Sequence, residues 1–145
     1  MRVLLLALAA LTLARAEQIC PWLNSATAGG VLGGSVTTTV THSSVCEFTR
    51  GGPLTYTLRI EVTNTADFKS WLTQCGPKAT PVRGIGNQAV ACDLAQDSQV
   101  SAQILSRVRG RAFLVRVTAN KTSVPLQPLR DQAHSVADQV SGNLF

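Results

Sequence analysis

Few side chains in this sequence are arranged for catalysis. The two histidines, His42 and His134, belong to no metal-binding or catalytic-triad motif, and Ser35 lacks the Gly-x-Ser-x-Gly pattern of a nucleophile elbow. Of the eight carboxylates only Asp93 and Asp97 lie close together, in a stretch typical of a turn. A glycosidase needs a pair of facing carboxylates, and a calcium loop needs several carboxylates at fixed spacing. The sequence has neither pattern. We therefore predict that the protein is not an enzyme and has no cofactor and no metal.

A basic β-hairpin is the best candidate for a binding surface. Two predicted strands flank a two-residue turn at Arg109 and Gly110, and no acidic residue lies between Gln99 and Lys121. The predicted register also brings two leucines together beside the arginines, on the sheet face opposite the core, where they would form an apolar patch. The candidate ligand-binding residues are therefore Arg107, Arg109, Arg111, Arg116, Leu105 and Leu114.

The predicted partner of this hairpin is an anionic polymer or lipid of the cell envelope, because the guanidinium group suits phosphate and carboxylate oxygens. No nucleic acid is expected, since exported proteins rarely meet it. Two alternatives remain open. The arginines could form only a solvated turn. Otherwise the protein is a protease-inhibitor-like or assembly module that binds a protein partner through an edge strand or the loop of residues 77–88.

The first sixteen residues have the form of an export signal. Arg2 supplies a positive charge, residues 3–13 are apolar apart from Thr12, and Ala14-Arg15-Ala16 suits signal peptidase. The apolar run is shorter than the roughly 20 residues that span a bilayer. We therefore predict a signal peptide over residues 1–16 and a single domain over residues 17–145, exported to the periplasm or the medium of a bacterium, with no transmembrane segment.

All four cysteines lie in the predicted mature part, which carries eleven basic and eight acidic side chains. An exported chain meets an oxidising compartment, so two disulfides are expected. A zinc site would need paired Cys-x-x-Cys or Cys/His spacing, which the sequence lacks. Four cysteines allow three pairings. We prefer Cys20 with Cys46 and Cys75 with Cys92, because each pair joins neighbouring predicted elements.

Alternating apolar and polar residues predict a sheet. The alternation is strictest over residues 54–63, and a strand with one polar face belongs to an antiparallel sheet covered on one side. Apolar residues at helical spacing predict a helix around Phe68 and Trp71 and another over residues 126–144. The predicted fold is α+β, in the order α-β-β-β-α-β-β-β-α. It has one antiparallel sheet of about six strands with helices packed on one face.

Three local strings resemble a family of small secreted bacterial proteins known only as a domain of unknown function, many of them actinobacterial lipoproteins. The strings are residues 20–23 (Cys-Pro-Trp-Leu), 46–48 (Cys-Glu-Phe) and 82–89, followed by the final helix. Similar layouts occur in PsbP-like proteins and in extracellular sensor domains of bacterial kinases. The resemblance implies a binding or assembly role, and it implies that Cys20 pairs with Cys46. The sequence departs from the family in lacking the lipid-attached cysteine and in having Asn87 where an acid is usual.

Overall fold

The structure contains seven antiparallel strands, most of them in stretches where apolar and polar residues alternate. In the computed structural model, which describes residues 17–145, they are β1 (Thr37–Thr41), β2 (Val45–Arg50), β3 (Tyr56–Asn64), β4 (Thr80–Val82), β5 (Gln88–Gln96), β6 (Gln99–Val108) and β7 (Arg111–Ala119). They form one sheet in the order β1-β2-β3-β7-β6-β5-β4. The predicted α+β fold with a single antiparallel sheet is confirmed. The predicted signal peptide, residues 1–16, lies outside the described residues.

The structure adds one strand to the predicted order, the three-residue β4. Pro81 stands in the middle of this strand, and a proline within a short run argues against a strand in sequence analysis. The proline is tolerated because β4 is the last strand of the sheet and pairs only with β5. A proline at an edge need not donate a hydrogen bond to a neighbouring strand.

Three helices accompany the sheet: α1 (Ser25–Leu32), α2 (Thr65–Cys75) and α3 (Leu126–Leu144). Asparagine side chains start the first two. Asn24 accepts a hydrogen bond from the backbone N–H of Thr27 at 2.8 Å, and Asn64 accepts one from that of Ala66 at 3.0 Å. Among residues 17–145, no helix combines the length and the apolar character needed to cross a membrane.

The larger core lies between the sheet and the helices α1 and α3, on what we call the α3 face. Phe48, Ile60 and Val115 of the sheet and Val136 of α3 are completely buried there. The predicted disulfide between Cys20 and Cys46 joins the segment before α1 to β2 on this face. The helices thus bury the apolar residues that the alternation directs to one side.

Helix α2 lies on the opposite face, which we call the α2 face. Its residues Phe68 and Trp71 pack against Val90, Leu105 and Leu114 in a second, smaller core. The prediction that all helices pack on one face of the sheet is therefore wrong. The reason is the apolar pair from β6 and β7, which would be exposed on the α2 face if no helix covered it.

The second predicted disulfide, between Cys75 and Cys92, fastens the end of α2 to β5. Both preferred pairings are thus confirmed. Cys92 lies with α2 in the smaller core. Across β1, β2 and β3 the α2 face stays polar, with Thr39, Glu47 and Arg59 in one cross-strand row.

The loop of residues 83–87 is packed tightly against the last residues of β6, beside the turn of the β6–β7 hairpin. A Cβ atom on Gly86 would lie 2.4 Å from Ser106 Oγ and 2.5 Å from the carbonyl oxygen of Arg107. Gly86 also has a φ of 61°, in the left-handed region that favours glycine. Close packing and backbone conformation therefore account for the Gly-x-Gly sequence of this loop.

Candidate functional site

The predicted basic hairpin forms with the predicted register. Val108 pairs with Arg111, so Arg109 and Gly110 are the two-residue turn, and Leu105 pairs with Leu114. Successive residues of a strand point to opposite faces. Arg107 therefore points to the α2 face, and Arg111 points to the α3 face. The structure brings the two side chains to one end of the sheet but not to one face.

Aromatic rings support two of the exposed arginines at this end of the sheet. The guanidinium carbon of Arg107 lies 5.3 Å from the centre of the Phe68 ring, and that of Arg109 lies 5.7 Å from the centre of the Phe145 ring. The Nη2 atom of Arg107 also donates to Gln88 Oε1 at 2.6 Å. Stacking restrains the flat guanidinium groups, so fewer conformations are lost when an anion binds.

The adjoining loop is bound to the hairpin through Asn87. Its backbone N–H donates to the carbonyl of Arg107 at 2.8 Å, and its side-chain oxygen accepts from the backbone N–H of Arg109 at 2.7 Å. The same loop carries the exposed Arg83. We call Arg83, Arg107, Arg109 and Arg111 the basic end of the sheet. Arg83 is not among the predicted ligand-binding residues, because only the folded loop places it near the hairpin.

The charges at the basic end have no acidic partner within the described part of the chain. The three ion pairs found in residues 17–145 lie elsewhere: Arg59 with Glu47 and with Glu61, and Arg130 with Asp93. None of the hairpin arginines has a carboxylate oxygen within 4.0 Å among these residues. An anion could therefore bind these arginines without displacing an internal carboxylate.

The other predicted site residues lie apart from the basic end. Leu105 and Leu114 are 0% and 3% exposed beneath α2, so the expected apolar patch beside the arginines is not present on the surface. Arg116 is half-buried, and its Nε donates to Gln103 Oε1 at 2.9 Å. Burial and the neighbouring Arg59 lower the pKa of Arg116 from its ordinary value.

A cleft of about 700 Å³ opens on the α3 face, between β5 and the first half of α3. Cavities of this size are typical of ligand sites. Helix α3 packs mainly over β6 and β7, so it leaves β5 and β4 partly uncovered. The short side chains of Ala91 and Ala102 form part of the floor, and Leu126 and His134 of α3 line the opposite wall. No pattern in the sequence predicts this cleft, because it depends on where α3 crosses the sheet.

Charged groups at the rim of the cleft bind each other. Arg130 Nε donates to Asp93 Oδ1 at 3.1 Å, and Arg130 Nη2 donates to the second oxygen of the same carboxylate. This two-point contact joins α3 to β5, and it raises the pKa of Arg130 through the hydrogen bond and the charge of Asp93. His134 lines the cleft but makes no hydrogen bond to a carboxylate of the described residues. Within residues 17–145 no group of three or more metal-binding side chains lies together.

The fold and these surfaces define a disulfide-linked α+β domain whose seven-stranded antiparallel sheet has helices on both faces. No protein-family model, curated protein or solved structure matches the chain. The resemblance to small secreted bacterial proteins therefore stays a prediction.

Proposed function

We propose that the protein is an exported, noncatalytic binding domain that binds anionic envelope material through the basic end. The observation that carries the proposal is the set of exposed hairpin arginines without a carboxylate partner among residues 17–145, while the ion pairs of that part of the chain lie elsewhere. The two disulfides support an oxidising compartment such as the periplasm or the medium.

The structure favours a different set of binding residues from the one that the sequence suggested. Arg109 and Arg111 are exposed toward the α3 face, and Arg107 is exposed on the α2 face beside Phe68. Arg116, Leu105 and Leu114 are left out of the proposed site because they are engaged in internal packing and hydrogen bonding. The ligand chemistry is a phosphate or carboxylate oxygen, which a guanidinium group can bind at two points.

The test compares charge reversal at the basic end with the same charge change elsewhere. The test variant is Arg109→Glu with Arg111→Glu, and the control is Lys78→Glu with Lys121→Glu, two exposed lysines away from the hairpin. The probes are vesicles of neutral lipid with about one third phosphatidylglycerol, and soluble polyphosphate at about 50 mM salt. Binding to vesicles alone would assign a lipid headgroup, and binding to both would assign phosphate groups in general.

We expect the test variant to bind at least about tenfold more weakly than the wild type, because each basic residue near an anionic membrane contributes about 1 kcal/mol. The control pair should bind within about twofold of the wild type, and wild-type binding should weaken steeply as salt rises. An equal loss in both variants would show that only net charge matters. That result, or wild-type binding to neither probe, would reject the proposal.

A further inference from the structure

Strand β5 has a neighbour on both sides over only part of its length. Strand β6 pairs with all of it, whereas β4 pairs only with residues 89–91. The chain before β4 leaves the sheet as a short 3-10 turn, Gly76–Lys78. Residues 92–96 of β5 therefore form a free sheet edge about 17 Å long, at roughly 3.4 Å per residue.

The free edge exposes unused backbone hydrogen-bonding groups. A two-residue turn joins Gln96 to Gln99, and the backbones of the two residues that close such a turn are hydrogen-bonded to each other. Hydrogen-bonded and non-hydrogen-bonded pairs alternate along an antiparallel ladder. Every second residue of β5, counted from Ala95, therefore points its N–H and C=O groups away from β6. Ala91 directs these groups toward Thr80 of β4. Those of Asp93 and Ala95 have no hydrogen-bond partner within residues 17–145.

The other two places where a strand could add are protected. On the far side of the sheet, the backbone N–H of Val40 in β1 donates to the side chain of Gln18 at 2.6 Å. In β4, Pro81 has no N–H to offer at the outer edge. Proteins usually protect exposed edges in such ways because a free edge invites pairing with another chain. The unprotected stretch of β5 thus differs from the other edges of this sheet.

The cleft lies along this free edge. Successive side chains of a strand placed there would alternate between the two faces of the sheet, and those on the α3 face would enter the cleft. The floor below them includes Ala91, Ala102 and Ile104, and Leu126 lines the α3 side. This floor is apolar and has room for a side chain, whereas the charged lining residues Lys78, Asp131 and the Asp93–Arg130 pair belong to the rest of the cleft. We infer that a side chain reaching the floor would be apolar, because Ala91, Ala102 and Ile104 offer it no polar side-chain partner.

We propose that β5 accepts an extended segment of a partner protein as an additional strand. The segment pairs with the backbone of Asp93 and Ala95, and every second side chain enters the cleft. A peptide backbone is the occupant that fits, because it supplies alternating donors and acceptors at the strand spacing of about 4.8 Å. This inference does not depend on the proposed function of the basic end, since it uses different residues.

The test uses fluorescent peptides of about nine residues in which threonine alternates with one varied residue, either Ala, Val, Leu, Phe, Glu or Lys. Ala95→Pro removes the outward N–H, whereas Ala95→Ser keeps it and serves as the matched control. Ala91→Leu fills the floor of the cleft without changing the edge. Thermal unfolding establishes that each variant is folded. A peptide with one N-methylated amide on the side that faces β5 lacks a backbone donor for this pairing. It therefore tests the same hydrogen bonding without altering the protein.

We expect a peptide with an apolar varied residue to bind the wild type most tightly. Its affinity should fall at least about tenfold with Ala95→Pro, with Ala91→Leu and on N-methylation, and stay within about twofold with Ala95→Ser. Three results would overturn the proposal. These are no peptide binding below about 1 mM, equal binding to Ala95→Pro, and an Ala95-dependent dimer that binds no peptide, which would assign the edge to a second copy of the chain.

Discussion

Individual neighbours decide which arginines of the hairpin are free to bind a ligand. Gln103 is the clearest example, because it is buried and serves two groups at once. Its Nε2 donates to the sulfurs of Cys92 at 3.1 Å and Cys75 at 3.4 Å, while its Oε1 accepts from Arg116. Arg116 is therefore an internal partner of Gln103, whereas Arg109 and Arg111 at the turn have no comparable side-chain acceptor among the described residues.

Gly86 provides a prediction at the same scale. We expect Gly86→Ala to lower the free energy of unfolding by at least about 2 kcal/mol, because the new Cβ would overlap Ser106 and Arg107 in a left-handed conformation. Gly84→Ala is the control. Gly84 also has a positive φ, 83°, but a Cβ there would meet nothing within 4 Å.

Denaturant unfolding of both variants measures the difference. Gly84→Ala should lose only the backbone part of the penalty, about 1 kcal/mol. An equal loss at the two positions would mean that the close approach to the hairpin contributes nothing. The expected difference would instead show that the 83–87 loop is held by the same contacts that position the basic end.

Helix α2 is the element that most changes the interpretation of the sheet. Its Phe68 and Trp71 cover Leu105 and Leu114. The two leucines therefore form no apolar surface patch beside the arginines. The helix follows β3 directly and is fastened at its other end by a disulfide. Both ends of α2 are thus held, although it contributes the smaller of the two cores.

Removing this disulfide should loosen α2 more than the rest of the molecule. We expect Cys75→Ala with Cys92→Ala to lower the free energy of unfolding by about 3 kcal/mol, mainly because the unfolded chain gains freedom. Hydrogen exchange of the α2 amides should also become faster. Unfolding curves and exchange mass spectrometry measure the two effects.

The matched control is Cys20→Ala with Cys46→Ala. Its disulfide closes a separation of 26 residues rather than 17, so its loss of stability should be similar or slightly larger. In this control, hydrogen exchange of the α2 amides should become faster only as much as the lower global stability requires. Selective loosening of α2 in this control would contradict the assignment.

At the scale of the whole molecule, the two candidate surfaces lie at different margins of the sheet. Strands β3, β7 and β6 lie in the middle of the sheet, and β3 pairs with β7 along nine residues. The free part of β5 lies near one side of the sheet, and the basic end lies at the tip of the β6–β7 hairpin. Both surfaces can therefore bind partners while the central strands stay unchanged.

Hydrogen exchange across the sheet tests this arrangement. We expect the amides of Ile60 and Val115 to exchange most slowly, those of β1 and β4 faster, and the outward amides of Asp93 and Ala95 among the fastest of the sheet. Nuclear magnetic resonance resolves each amide. Slow exchange at Ala95 in the free protein would show that the β5 edge is already occupied, and β1 amides as protected as those of β7 would contradict the strand order.

The sequence predicted those features that depend on residues near each other in the chain. Alternation located most of the strands, and the turn at Arg109 set the pairing of Leu105 with Leu114. The cysteine pairings were preferred because each was predicted to join neighbouring elements, and both are confirmed. A short strand centred on Pro81 was missed, since its three residues carry too little pattern.

Only the tertiary structure decided which face α2 covers, which edge stays free and where the cleft opens. Periodicity determines which residues share a face, but an amphipathic helix fits either face of a sheet equally well. In the folded protein Cys92 shares a face with Leu105, and its disulfide holds Cys75 and α2 on that side. No pattern in the sequence indicates the free edge or the cleft, because each depends on where separate elements end and cross. Only the packing of those elements against one another determines these positions.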